Sequence, residues 1–177
     1  MRTVTGADLA REPFLHGMGA ADLRRLATAA RFTGFAAGRR VFGQSEPAER
    51  FWLIQDGTVI VDLRTPRGGT VVIDAFGPGS VLGWSWLFRP HQWHFGGVAA
   101  TPVRAIEFDG RLVRTFCAVD PSLGHDLTRR FAELVVERLE TTQTRLTEPA
   151  ASLTGGDAPH DLPYGDAGVA ASGSDRR

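Results

Sequence analysis

Apolar positions along the chain change their period twice. From Pro13 to Phe32, "PFLHGMGAADLRRLATAARF", the residues Leu23, Leu26, Ala27 and Ala30 recur at helical spacing, and Asp22 with the small residues before it offers a start signal. From Phe35 the pattern shortens to the β-like runs "RRVF", "RFWLIQDGTVIVDLRT", "GTVVIDAFG" and "VRAIEFDG", each bounded by Gly, Pro or Asp. Within them the Asp56-Gly57 pair, set between two apolar runs, predicts a hairpin, because glycine takes positive φ without steric cost. "TPRGGT" and "FGPGS" mark two further turns. Many short strands at this spacing predict a mainly β domain, a sandwich or roll with flanking helices.

After Cys117 the period lengthens again. Apolar residues at Leu123, Leu127, Phe131, Leu134, Val135, Leu139 and Leu146, with charges between them, predict one long amphipathic helix over 119–148. Its seam packs on the roll or on a second copy of the chain. The narrow stripe, flanked by Arg and Glu, favours the second copy, a homodimer with Leu127, Phe131, Leu134, Val135, Leu139 and Leu146 in the interface. From Pro149 the chain is rich in Ala, Gly, Asp, Ser and Pro with no periodic face, so 149–177 is expected to be a disordered tail. That leaves 1–13 as an N-terminal extension and 14–148 as a single domain.

Composition narrows the function. Lys+Arg and Asp+Glu both number 20 in the 177 residues, so no net field attracts polyanions and no nucleic-acid partner is expected. Every basic residue is Arg, which excludes lysine-based Schiff-base chemistry. Cys117 is the only cysteine, excluding an intramolecular disulfide and any cysteine-rich metal or iron–sulfur site. Neither a signal-peptide core nor an apolar run of membrane-spanning length is present, and the expectation is a soluble cytoplasmic protein without a membrane partner.

The chemistry-bearing stretch is "PGSVLGWSWLFRPHQWHFGG", Pro78 to Gly97. It holds Trp84, Trp86 and Trp93, three of the four tryptophans, together with His91 and His94, two of the five histidines. Gly79 and Gly83 allow close approach of the backbone to a ligand, and a short helix beginning near Gly83 would point free N–H groups at an anion, with Ser85 adding a hydroxyl. The plainer alternative is that these glycines only make turns. Pro90 disfavours helix at Arg89, so Arg89 to Gln92 is expected to form a loop at the rim.

A helix, a series of short strands, a Gly-rich segment between two late strands and a long amphipathic helix follow one another in an order that resembles the cyclic-nucleotide-binding domain of the catabolite-activator and FNR-like regulators. "FWLIQDGTVIV" (Phe51 to Val61) is similar to that family's strand, turn and strand. "FGPGSVLGW" (Phe76 to Trp84) stands where the family has its phosphate-binding cassette, and "GGVAATPVRAIEFD" (Gly96 to Asp109) resembles the strand pair that follows. The resemblance spans about Phe14 to Leu146. It implies a β-roll of the double-stranded β-helix or jelly-roll type, followed by a long C-terminal dimerisation helix, with a ligand site drawn from Gly79, Val81, Leu82, Gly83, Trp84, Ser85, Trp86, Arg89, Trp93, His94 and Phe95.

The cassette departs from the family at its two polar anchors. The family's Gly-Glu pair falls on Gly83 and Trp84, and its Arg with a hydroxyl partner falls on His94 and Phe95. Charge-assisted hydrogen bonds of the kind lost contribute about 1.5–3 kcal/mol each, and His cannot fork onto a phosphate. Tight binding of cyclic AMP is therefore not expected unless Arg89 or Arg104 substitutes. The rings in their place form either a pocket for an apolar or aromatic ligand, with His94, His91, Arg89 or Ser85 as polar contact, or a plug that fills the vacated space.

Other chemistry is poorly supported. His91 and His94 lack an identifiable third ligand, His16, His125 and His160 are scattered, and no metal or haem cofactor is expected. No nucleophile motif surrounds Ser80, Ser85 or Cys117, so catalysis is not expected. The resemblance would also put a helix-turn-helix after the long helix, and the sequence offers none there. The reading is a stand-alone, non-catalytic sensor or adaptor that takes a small ligand and signals to a protein partner. The alternatives are a ligand-free interaction module and a truncated transcription regulator.

Overall fold

The uninterrupted apolar run from Phe51 to Ile54 forms a strand buried on both faces, and the remaining elements are disposed on either side of it. The computed structural model describes residues 2–147 other than Arg67, with side chains described as far as residue 139. One four-stranded sheet runs in the order β1 (Ala30–Phe35), β8 (Val103–Asp109), β3 (Arg50–Asp56), β6 (Val81–Leu82). The other runs β2 (Arg40–Phe42), β7 (Gly96–Ala99), β4 (Val59–Arg64), β5 (Thr70–Phe76). Every pairing is antiparallel. Helices α1 (Gly6–Leu9), α2 (Ala20–Ala27), α3 (Gly110–Val119) and α4 (Pro121–Thr147), with a 3₁₀ turn at Pro13–Leu15, complete the order. The architecture is the expected β-roll with flanking helices and a long C-terminal helix.

The first sheet divides the interior in two. Phe51 and Leu53 join a core with Leu9, Leu26, Phe108 and Phe131, against the helices. Trp52 and Ile54, which point the other way along the same strand, join Phe42, Val59, Val61 and Trp93 between the sheets. Period-2 alternation is lost along β3 because both faces are dry. Full burial of each such side chain contributes about 1.5–3 kcal/mol, so the strand anchors both cores.

Several expectations change. The Asp56-Gly57 turn is not a hairpin, since β3 pairs with β6 and β8 while β4 pairs with β5 and β7. Gly57 has φ +83° and carries the chain from one sheet to the other so close to Pro102 that a Cβ would lie 2.1 Å from its carbonyl oxygen. The "TPRGGT" turn does close a hairpin, joining β4 to β5. Ala30, read as the end of the first helix, begins β1, where it pairs with Phe108. The first thirteen residues are not a detached extension, because Val4 and Leu9 lie in the helix-side core.

The helical C-terminal part is two helices. α3 is capped by Asp109, which accepts from the N–H groups of Arg111 (2.9 Å) and Leu112 (3.1 Å). Asp120 does the same for α4, accepting from Ser122 and Leu123. Two residues assigned to the dimer seam belong elsewhere: Leu127 and Phe131 are fully buried in the protomer's own core. The first turns of α4 lie on the roll, so their apolar stripe is already covered. Leu134 is partly buried against the same core and Val135 is half-buried, while Leu139 is exposed. The side chain of Leu146 and the tail 149–177 lie outside the described residues.

Candidate functional site

β6 ends at Leu82, and the chain then makes a loop that returns as β7 at Gly96. Ring contacts hold this loop. No helix starts at Gly83; Leu87 N–H donates to the Trp84 carbonyl in one turn, and His91 N–H to that of Phe88 in the next. An anion site at a helix N-terminus, expected from the Gly-Ser pattern, is therefore not formed. Gly83 has φ +89°, and a Cβ there would stand 2.7 Å from Cη2 and 2.8 Å from Cζ3 of Trp93. The glycine leaves room for the six-membered ring of that indole.

The three tryptophans of the stretch go to different places. Trp86 is fully buried on the helix side, stacked on Phe51 (4.7 Å between centroids) and edge-on to Phe131 (5.5 Å). Its indole N–H has no hydrogen-bond partner, and Arg114 donates to its carbonyl. It is a residue of the helix-side core and is not part of the wall around Trp93, where it was expected. Trp93 lies between the sheets, 4.4 Å from Phe42 and 5.9 Å from Trp52 by ring centroids. Trp84, half-buried, packs against both cores.

Around Trp93 and Gly83 the walls are Leu82, Trp84, Phe95, Phe76 from the start of the "FGPGSVLGW" stretch, and two residues that sequence reasoning did not place here, Phe42 and Val61. Ser85 and His94 supply its only hydroxyl and imidazole. The space left among them is about 30 Å³, the share of one water molecule, against ~300–1,000 Å³ for a ligand pocket. Val81 faces the helix-side core. Gly79 is exposed in the turn before β6, and Arg89 is exposed on the loop, neither of them in this wall. Arg104 pairs with Asp56 across 3.3 Å on the surface, and it too is absent from the wall. Among the described residues no guanidinium lines this wall.

Charges near the site satisfy one another. Arg40 grips Asp62 through two hydrogen bonds of 2.9 and 3.0 Å, and that hydrogen bond, ahead of opposing burial, raises the Arg40 pKa above its ordinary value. Glu107, buried on β8, accepts from the Trp52 indole N–H (3.0 Å) and from Arg31 Nε (2.8 Å), with Arg50 at 3.3 Å. Among the described residues no group of three His, Cys, Asp or Glu could hold a metal ion, and no helix is long and apolar enough to cross a membrane. Burial pushes the Cys117 thiol pKa up, which makes it a poor nucleophile.

Comparison with known proteins agrees with this geometry. The chain is 26% identical over 140 residues to the CRP-like cAMP-activated global transcriptional regulator of Mycobacterium tuberculosis, covering 79% of this chain and 61% of the relative. This chain thus spans less than two thirds of that regulator's length. A putative cyclic nucleotide-binding protein from Geobacter metallireducens superposes with TM-score 0.71 at 22% identity, over 77% of this chain and 98% of the other. A cAMP-binding acyltransferase from Mycobacterium smegmatis superposes with TM-score 0.56 at 31% identity, over 70% of this chain and 38% of the other. Residues 33–120 match the family described as "Cyclic nucleotide-binding domain". With the two sheets and the loop between β6 and β7 in place, residues 33–120 of the chain carry a domain of the cyclic-nucleotide-binding domain family.

Proposed function

We propose that this chain is a non-catalytic regulatory domain that no longer uses cyclic AMP, its nucleotide seat being filled by the indole of Trp93. The observation that carries this is the Trp93 ring lying over Gly83, where a Cβ would stand 2.7 Å from the ring. Loss of the carboxylate and guanidinium anchors at Trp84 and His94 points the same way, since a phosphate brought here would be desolvated without a partner. The relatives whose names mention cyclic AMP supply the contrast against which this loss is read.

The output of such a domain is its surface. Trp84 lines the seat and also a small void against α4 together with Phe131, Leu134 and Arg138. A change in the seat therefore reaches α4 through Trp84 and through Phe76, which lines both spaces too, shifting a two-state arrangement by whatever differential affinity an occupant has. Recognition of a protein partner and homodimerisation through the outer part of α4, where Val136 and Leu139 are exposed, belong to the same reading.

Calorimetric titration of the protein with cyclic AMP and cyclic GMP tests it. No heat of binding is expected at concentrations that saturate ordinary family members; binding in the micromolar range would overturn the reading.

A further inference from the structure

We propose that Trp93 is a movable occupant of the seat, and that the seat takes a neutral, flat aromatic molecule of about indole's size, which enters as Trp93 turns into a neighbouring cleft. This rests on the reading that Trp93 fills the nucleotide seat.

Trp93 is a partition between two unequal spaces. On the cassette side about 30 Å³ is free, whereas on the other side Trp93 borders a cleft of about 310 Å³ with Phe42, Glu46, Pro47, Arg50 and Trp52. Its backbone is fixed at both ends, the N–H donating to Glu46 O (2.9 Å) and the carbonyl accepting from Ser45 N–H (2.8 Å). A rearrangement is therefore a rotation of the side chain about a held backbone. Phe42 and Trp52, the two rings that Trp93 touches now, also line the receiving cleft. The indole thus keeps aromatic neighbours in both positions, while Glu46, Glu49 and Arg50 make the receiving cleft the less favoured of the two.

The class of ligand follows from what the ring leaves behind. The vacated seat has the flat backbone of Gly83 on one side and Phe42, Val61, Phe76, Leu82 and Phe95 around it. No Arg lines it, and the side chains with polar atoms in its wall are Ser85, the exposed His94 and the Trp84 indole, none of them a fixed charge that could grip a phosphate in a fork. An anion would have no partner there, while a planar hydrocarbon or heterocycle with one hydrogen-bonding edge would replace the contacts that Trp93 gives up.

The test is titration of the full chain and of Trp93→Ala with indole, followed by the indole N–H signals of 15N-labelled protein and by calorimetry. Removing the resident ring removes the competition, so Trp93→Ala is expected to bind indole about ten to a thousand times more tightly than the unaltered chain, the factor being set by how rarely Trp93 is out. In the unaltered chain the Trp93 signal should move as indole is added while that of Trp86 stays. Gly83→Ala provides a second route, since its Cβ displaces the ring directly; without ligand its Trp93 signal should lie toward the indole-saturated position. A folded Trp93→Ala that ignores indole, equal affinities in the two proteins, or an unmoved Trp93 signal in Gly83→Ala would overturn the proposal. Cyclic AMP is titrated in parallel: binding of the nucleotide overturns the reading of the seat itself, whereas failure with indole overturns only the movement and the ligand class.

Discussion

Replacing Gly83 by Ala measures the Trp93 seat directly, provided the cost of backbone conformation is separated from the cost of collision. Gly83 has φ +89°, and forcing an L-residue into that region costs about 1–2 kcal/mol. The added Cβ also stands 2.7 Å from a ring atom, and overpacking of this kind costs about 1–3 kcal/mol more. Gly79 supplies the control: its φ is +82°, yet the nearest atom to a Cβ there is Pro13 Cγ at 3.8 Å, an ordinary contact. Gly79→Ala should therefore lower stability by about 1–2 kcal/mol and Gly83→Ala by about 2–5 kcal/mol. Urea unfolding read from midpoints at constant slope gives both values. The collision part should also vanish when Gly83→Ala is combined with Trp93→Ala. Equal losses for the two glycines, or an undiminished loss in the double variant, would refute the idea that Gly83 is there for the indole.

Glu107→Ala leaves the buried Trp52 N–H without an acceptor, and should cost about 1–3 kcal/mol in the same unfolding assay, with Glu107→Gln milder because it keeps an acceptor oxygen. The Asp120 carboxyl is held below the usual carboxylate range first by the Leu123 N–H and then by Arg25. A depressed folded pKa contributes stability that is fully present above the unfolded value of about 3.9 and is lost as pH falls from there through the lower folded pKa, so acid unfolding of Asp120→Asn should show a shallower dependence on pH below about pH 4. Cys117, its pKa raised by burial, should react with a disulfide reagent at pH 8 far more slowly than free thiol until the protein is unfolded. Leu139→Glu, at a position 59% exposed, should dissociate a homodimer in sedimentation while leaving the unfolding midpoint of the roll unchanged; an unaltered dimer would place the contact elsewhere.

Most of the strands after Phe35 were legible in the sequence, and so was the family, because the cassette, its flanking strands and the long helix keep their spacing; β1 and the order of strands in the sheets were not. What failed depends on partners distant in sequence. Asp56-Gly57 carries a sound turn signal, but a turn does not say whether its two strands pair with each other, and here they enter different sheets. Ala30 satisfies a helical period with Leu23, Leu26 and Ala27, yet β8 claims it for a strand. The Asp109 cap that starts α3 has a local signature in "FDGRLV", an Asp-Gly pair ahead of apolar residues, which the strand reading of "VRAIEFDG" absorbs. At the site, Trp84, Trp93, Ser85, His94 and Phe95 do come together, whereas Trp86 is drawn to the opposite core by Phe51 and Phe131. Phe76, which opens the "FGPGSVLGW" stretch, joins the wall as well, while Phe42 and Val61 complete it from distant strands and no local pattern marks them.

The shared wall at β3 also decides how freely this molecule can be rewritten. Neighbouring positions on it answer to different company: Phe51 to Trp86 and Phe131, Trp52 to Phe42 and Trp93. A change at one of these positions is met first by the residues of its own interior. Because Trp84 packs against both cores, an exchange of what the roll holds, ring for nucleotide or one ring for another, is passed to the helices only by the few side chains that bridge the two interiors.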